Sequence, residues 1–183
     1  AIAKRHQLRV VEDAAHAIES TDKGRPIGTV GDLGCFSFYV TKNVTTVEGG
    51  MVITDHDEFA HLIKRLALHG QTEDAWHRFA DKGFKHYQIV HAGFKYNMTD
   101  IQASIGIHQF AKMEARARRR EEIWEIYNRS FRDLPLMLPP PTPPDQTHAR
   151  HLYTPLLDLD RARCTPDEFL QALHQENIGA GIH

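Results

Sequence analysis

The chain has 183 residues, with 22 Lys plus Arg against 24 Asp plus Glu and a formal net charge of -2. That balance argues against a nucleic-acid or anionic-membrane partner, and 41% hydrophobic with 25% charged residues excludes disordered and fibrous classes. Cys35 and Cys164 lie far apart with no metal-spaced His nearby, so neither a disulfide framework nor a zinc ribbon is expected. The opening AIAKRHQLRV carries no apolar leader. No uncharged run approaches the ~20 residues needed to span a bilayer, which makes a cytoplasmic chain the expectation.

Leu8 to Val11 form an apolar run ending at Glu12 and Asp13, read as a buried strand that delivers an acidic pair at its carboxyl end. A second strand is expected over Cys35 to Val40, ending at Thr41, Lys42 and Asn43. Glu48-Gly49-Gly50 reads as a turn and MVIT as a third strand. It runs into Asp55, an expected helix N-cap, and a helix with Phe59, Leu62, Ile63 and Leu66 on one face. This order is α/β grammar.

From Gln71 to Phe94 the pattern dissolves into polar and aromatic residues, among them Trp76, Phe79, Phe84 and Tyr87, as a functional loop or arm would. A helical stretch starts at Thr99-Asp100 and runs to about Leu134, long enough that a bend is expected within it. The run Pro135 to Asp145, PLMLPPPTPPD, disfavours helix throughout and is the best boundary in the chain. It divides a unit over 1–134 from an incomplete one over 146–183. Beyond it, HLYTPLLDLD reads as a strand, TPDEFLQALHQEN as a helix capped by Thr165, and NIGAGIH as a turn into another strand. A chain opening and closing on strands without sequence neighbours reads as the middle of a longer protein.

The chemistry-bearing set is Asp13 and His16 after one strand, Ser37 and Lys42 at the end of the next, and Glu48 beyond. All fall at carboxyl ends of strands, where open α/β sheets bind ligands. A lysine leaving the apolar run CFSFYVT is expected to be partly desolvated, which favours a nucleophilic amine. An amine, a carboxylate and a phosphate donor together are what pyridoxal 5'-phosphate (PLP) demands. Against this stand ordinary structural readings: a lysine after a strand is commonly a solvated surface residue, and an Asp there a turn or helix cap. Asp13 and His16 also have the spacing of half a metal pair, without further ligands nearby. The mixed charges of KMEARARRREE suit a solvated helix face.

Three blocks, VVEDAAHAIES, PIGTVGDLGCFSFYVTKNVTTVEGGMVITD and GFKYNMTDIQASIG, resemble the DegT/DnrJ/EryC1/StrS sugar aminotransferases, from about residue 5 to the last. The resemblance implies an α/β, fold type I PLP-dependent transferase: part of the large α/β/α domain plus the start of a small α+β C-terminal domain. It matches Lys42 to the Schiff-base lysine, Asp13 to the carboxylate on the pyridine nitrogen, and Ser37 to a donor for the cofactor phosphate. His16 matches the residue lying against the ring and its hydroxyl. In the third block Lys95 stands where many members have an Asn that reaches the partner subunit's cofactor phosphate, and Asn97 is the other candidate for that role. Val47 stands where many members carry Gly.

The implied partners are a nucleotide-linked keto sugar, an amino-acid donor such as glutamate, and a second copy in a homodimer with shared sites. Members are considerably longer, so only part of the cofactor pocket is expected here. A PLP-dependent sugar dehydratase is the alternative enzyme, and the presence of Lys42 favours transamination over it. A fragment or assembly module without activity of its own is the non-enzyme alternative.

Overall fold

The computed structural model describes residues 2–72 and 87–182. One short helix, α1 (Ile2–Arg5), precedes a three-stranded sheet of β1 (Val11–Asp13), β4 (Leu33–Ser37) and β5 (Gly50–Ile53), in the order β1-β4-β5. β1 runs parallel to β4, with Asp13 opposite Cys35, and β4 runs antiparallel to β5, with Ser37 opposite Gly50. The parallel pair brings the carboxyl ends of β1 and β4 to the same sheet edge.

Between them lies the hairpin of β2 (Thr21–Asp22) and β3 (Arg25–Pro26), joined by Lys23 and Gly24 at positive φ. β2 pairs on its other side with β7 (Gln146–Thr147), so the chain beyond the proline-rich run returns to residues near its start. β6 (Leu136–Met137) and β8 (Leu156–Leu157) form a separate antiparallel pair.

The first strand begins later than the apolar run does. Leu8 N donates to Ala3 O and so closes the turn after α1. Leu8 and Val11 are exposed, against the expectation of a buried strand, because no described residue covers that face. The second strand stops at Ser37, short of Val40, because Phe38 turns into the loop that carries Lys42.

Helix α2 (Asp57–Ala67) follows β5, but its N-cap is His56 and makes no side-chain cap bond. Asp55 does not cap it. Thr54 Oγ1 organises this entry instead, accepting from His56 N at 3.2 Å and donating to Asp32 O at 2.7 Å.

The expected long helix is two: α3 (Asp100–Phe110) and α4 (Met113–Phe131), broken at Ala111 and Lys112. Thr99 opens α3 with a capping box closed by Gln102. The helix α5 (Pro166–Gln175) has the expected cap at Thr165, and Glu168 closes it into the same device. Only Leu156–Leu157 of HLYTPLLDLD forms a strand, and residues 178–182 form none, with no strand among the described residues for them to pair with.

The two ends of the polar segment after α2 are zipped together: Thr72 N donates to Gln88 O, Val90 N to Gly70 O and His69 N to Phe94 O, at 2.8–2.9 Å. Trp76, Phe79 and Phe84 lie outside the described residues. None of the helices among the described residues is long and apolar enough to cross a membrane.

Candidate active site

Lys42 is placed by a loop that folds back on the end of β4. Thr46 N and Thr45 Oγ1 both donate to Phe38 O, Phe38 N donates to Gly49 O, and Lys42 N closes a turn onto Tyr39 O at 2.9 Å. Phe38, Val44 and Thr46 are fully buried and pin this loop to the body. The loop packs under α3, where Phe38 meets Phe110 edge-on with ring centroids 5.8 Å apart and Gln102 Nε2 donates to Glu48 O at 2.9 Å. Close approach requires glycine at position 49, since a Cβ there would lie 2.3 Å from Thr46 Oγ1 and 2.8 Å from Met98 Cε. Val47, in the same loop, sits at φ 71°, a left-handed conformation that is costly for a β-branched side chain.

Lys42 is half-buried as a whole residue, and its Nζ lies 2.5 Å from His16 Nε2. His16 follows β1, so this contact bridges the two parallel strands. Asp13 closes β1 and is exposed. One of its oxygens accepts from Ala15 N at 3.0 Å, and the other makes no hydrogen bond among the described residues. Ser37 closes β4, with its Oγ 3.4 Å from Tyr39 N, a weak contact that leaves the hydroxyl available.

The acidic pair is not one site. Successive strand residues face opposite sides, and Glu12 accepts from Gly28 N, Val30 N and Gly31 N at 2.9, 2.7 and 2.5 Å, holding the turn between β3 and β4. Burial disfavours its charge, but the three N–H donors and the positive charge of Arg25 outweigh that and lower its pKa below the ordinary glutamate value.

Lys95 and Asn97 lie elsewhere, in the extended stretch before α3. Lys95 Nζ donates to Asn97 Oδ1, and the flanking Phe94 and Tyr96 rings stack at 4.9 Å with 7° between their planes. No hydrogen bond or ring contact among the described residues joins this block to Lys42, Asp13, His16 or Ser37. Glu48 contributes its backbone carbonyl to the loop. A metal reading of Asp13 and His16 gains no support, since no cluster of three or more candidate ligands exists among the described residues.

The spacing of the sequence missed Asn43 and His151. Asn43 Nδ2 donates to Glu19 Oε2 at 2.6 Å and to Ala149 O at 2.8 Å, while its Oδ1 lies 2.9 Å from His151 Nδ1. The His151 ring lies against His16, with centroids 4.2 Å apart. This corner is held from below by α4. Arg120 bridges Glu19 and Ala149 O, and Arg150 forms a two-point pair with Glu121 at 2.7 and 3.0 Å while covering the face of buried Trp124.

The profile of the DegT/DnrJ/EryC1/StrS aminotransferase family matches residues 1–183. The chain belongs to that family. An uncharacterized protein of Methanocaldococcus jannaschii is 50% identical over 182 residues, covering 100% of this chain and 47% of that protein. The spore coat polysaccharide biosynthesis protein SpsC of Bacillus subtilis is 44% identical over 184 residues, again covering 100% of this chain and 47% of the relative. The chain therefore spans about half the length of these relatives.

Among solved structures, Spr1654 of Streptococcus pneumoniae in its PLP form superposes with a TM-score of 0.83 at 30% identity, covering 100% of this chain and 46% of that one. Helicobacter pylori PseC, an aminotransferase involved in the biosynthesis of pseudoaminic acid, gives 0.83 at 27% identity, with 96% and 45% covered. The fold is accordingly part of an α/β, fold type I transferase, and the cofactor of the family is PLP. The residues at the sheet edge fit that group by their chemistry: an accessible amine at Lys42, an exposed carboxylate at Asp13 with a free oxygen, and a hydroxyl at Ser37.

Proposed function

We propose that this chain is the lysine-bearing part of a PLP-dependent aminotransferase that moves an amino group from an amino acid, glutamate by preference, to a keto group on a nucleotide-linked sugar. The observation that carries this reading is the meeting of Lys42 and His16 at 2.5 Å on the edge where Asp13 ends the parallel neighbouring strand. Family membership and the sugar-linked names of the relatives support the substrate class.

Lys42 would hold the cofactor through its amine, Asp13 its ring nitrogen, Ser37 its phosphate, and His16 would lie against its ring. Bound PLP supplies an aldehyde for amines and a ring that draws electron density away from the reacting carbon. The carboxylate of Asp13 keeps a proton on the ring nitrogen by charge. The amine of Lys42, once released, would carry a proton between the substrate carbon and the cofactor carbon that holds the transferred nitrogen. Lys95, with Asn97 as the alternative, is assigned to the cofactor phosphate of a second subunit, which makes the active unit a homodimer. The proline-rich run over 135–145 separates the large-domain part, 1–134, from the partial small domain, 146–183.

Borohydride reduction of the PLP-loaded enzyme followed by peptide mapping tests the central assignment. The pyridoxyl label is expected on Lys42, and a label on Lys95 or any other lysine would overturn it.

A further inference from the structure

Asn43 is the neighbour of Lys42, and its amide admits one orientation. Glu19 Oε2 and Ala149 O can only accept, so both hydrogens of Nδ2 are committed to them and Oδ1 must face His151. His151 Nδ1, 2.9 Å from that oxygen, must therefore carry a proton. The anchor is sheltered: the Glu19 side chain is 8% exposed and Ala149 3%. From His151 the contact passes by ring packing to His16, and from His16 Nε2 to Lys42 Nζ. The pair formed by His16 and Lys42 needs one proton and one lone pair between its nitrogens, so the plane of the His16 ring decides where the lysine nitrogen rests. His16 is itself exposed, and His151 is the one aromatic ring packed against it among the described residues.

We propose that Asn43 and His151 are positioning residues. The segment arriving after the proline-rich run orients the His16 ring through His151, and through it the amine of Lys42, before the cofactor binds. The same amide of Asn43 ties that segment to the lysine loop, so the lysine is aimed only once residues 149–151 have docked. This inference rests on the reading of Lys42 as the cofactor lysine.

The test compares the cofactor-free parent enzyme with His151→Phe and His151→Gln. Three quantities are read: the rate at which the visible band of bound PLP develops after mixing, the thermal midpoint, and the ring-nitrogen NMR shifts of the histidines. His151→Phe keeps a ring but cannot donate to Asn43, and should slow capture several-fold, up to about tenfold, the scale of one hydrogen bond. Its midpoint should stay within a few degrees, and the His16 ring signals should move. His151→Gln keeps a donor for Asn43 but loses the ring packed against His16, so its capture should also be slow and its His16 ring signals should also move.

Capture at the parent rate in either variant overturns the proposal, as do His16 ring signals that stay at the parent positions in both. Should His151→Phe fail to fold, the parent decides: a His151 Nδ1 without a proton contradicts the assignment. Borohydride mapping of each protein separates the two ideas, because a label away from Lys42 sinks the proposed function while the ring-nitrogen spectra still report on the relay.

Discussion

Around Lys42 the chain turns its side chains inward, with Phe38 2% exposed and Val44 and Thr46 each 1%. Around Lys95 it turns them outward: Phe94 is 52% exposed and Tyr96 74%. The first region is satisfied within this chain, through the backbone bonds of Phe38, the contact of Gln102 with Glu48 and the anchor at Asn43. In the second, Lys95 and Asn97 bond to each other while two stacked rings face solvent. One region is packed inward and the other is presented to solvent. A presented aromatic pair beside a cation is the form expected of a surface completed by another subunit.

The contrast can be broken most strongly at its buried end. Phe38→Ala removes a ring packed against Phe110 and should cost about 3–5 kcal/mol in urea unfolding, whereas Tyr96→Ala should change stability by no more than about 0.5 kcal/mol. Tyr96→Ala should instead weaken self-association in sedimentation. Equal losses of stability would mean that both regions are structural.

A smaller effect concerns the presented half. With the dimer confirmed by sedimentation, Lys95→Ala should weaken PLP binding by about tenfold, the scale of one charge-assisted contact to a phosphate. Asn97→Ala competes for that role. Because Asn97 Oδ1 now holds the ammonium of Lys95, its removal frees the lysine and should cost less if Lys95 is the phosphate ligand. Parent-like affinity in Lys95→Ala would remove Lys95 from the site.

The inward half carries one internal opponent of its own order. Val47 is held at φ 71° in the loop between buried Thr46 and Gly49, and a residue without a Cβ would relax that strain. Val47→Gly should stabilise the fold by about 1 kcal/mol, less whatever the freer glycine adds to the unfolded chain. A lowered urea midpoint would show that the side chain is needed where it is.

The difference between the two halves also explains what could be read beforehand. The position of Asp13 at the end of its strand, and of Lys42 just beyond the next, was legible because apolar runs of strand length end near them, although the run before Asp13 is exposed. Thr165 was legible because a Thr followed three positions later by Glu is a capping box within one turn of chain. Asn43 and His151 were not, since they meet across 108 positions and no local pattern pairs them. Glu12 and Asp13 were read as a pair, yet alternation along a strand sends them to opposite sides. The strand ends were misplaced where side chains overrode propensity: Asp32 Oδ2 captures Val10 N at 2.7 Å and delays β1, and the buried turn of Phe38 shortens β4.

The smallest effect distinguishes the halves by their response to acid. At Glu12, burial opposes the charge, but the N–H groups of Gly31, Gly28 and Val30 and the charge of Arg25 prevail and lower the folded pKa. Glu121 is lowered mainly by its hydrogen bond from Arg150, against some burial. For each, the folded pKa lies below the unfolded one, so the stabilisation is complete above the ordinary value of 4.5 and is lost as pH falls from there through the folded pKa. His148, lowered by burial and then by Arg150, adds a loss of the same sign that begins near its ordinary 6.5. The urea midpoint of the parent should therefore decline between neutral and mildly acidic pH. Glu12→Gln should be less stable at neutral pH, because an amide offers one acceptor oxygen where three N–H groups converge, and its decline on acidification should be shallower. Lys95→Ala removes no contact of these groups and should keep the slope of the parent. A parent-like slope in Glu12→Gln would mean that the Gly28–Gly31 turn holds the lysine-bearing sheet without that charge.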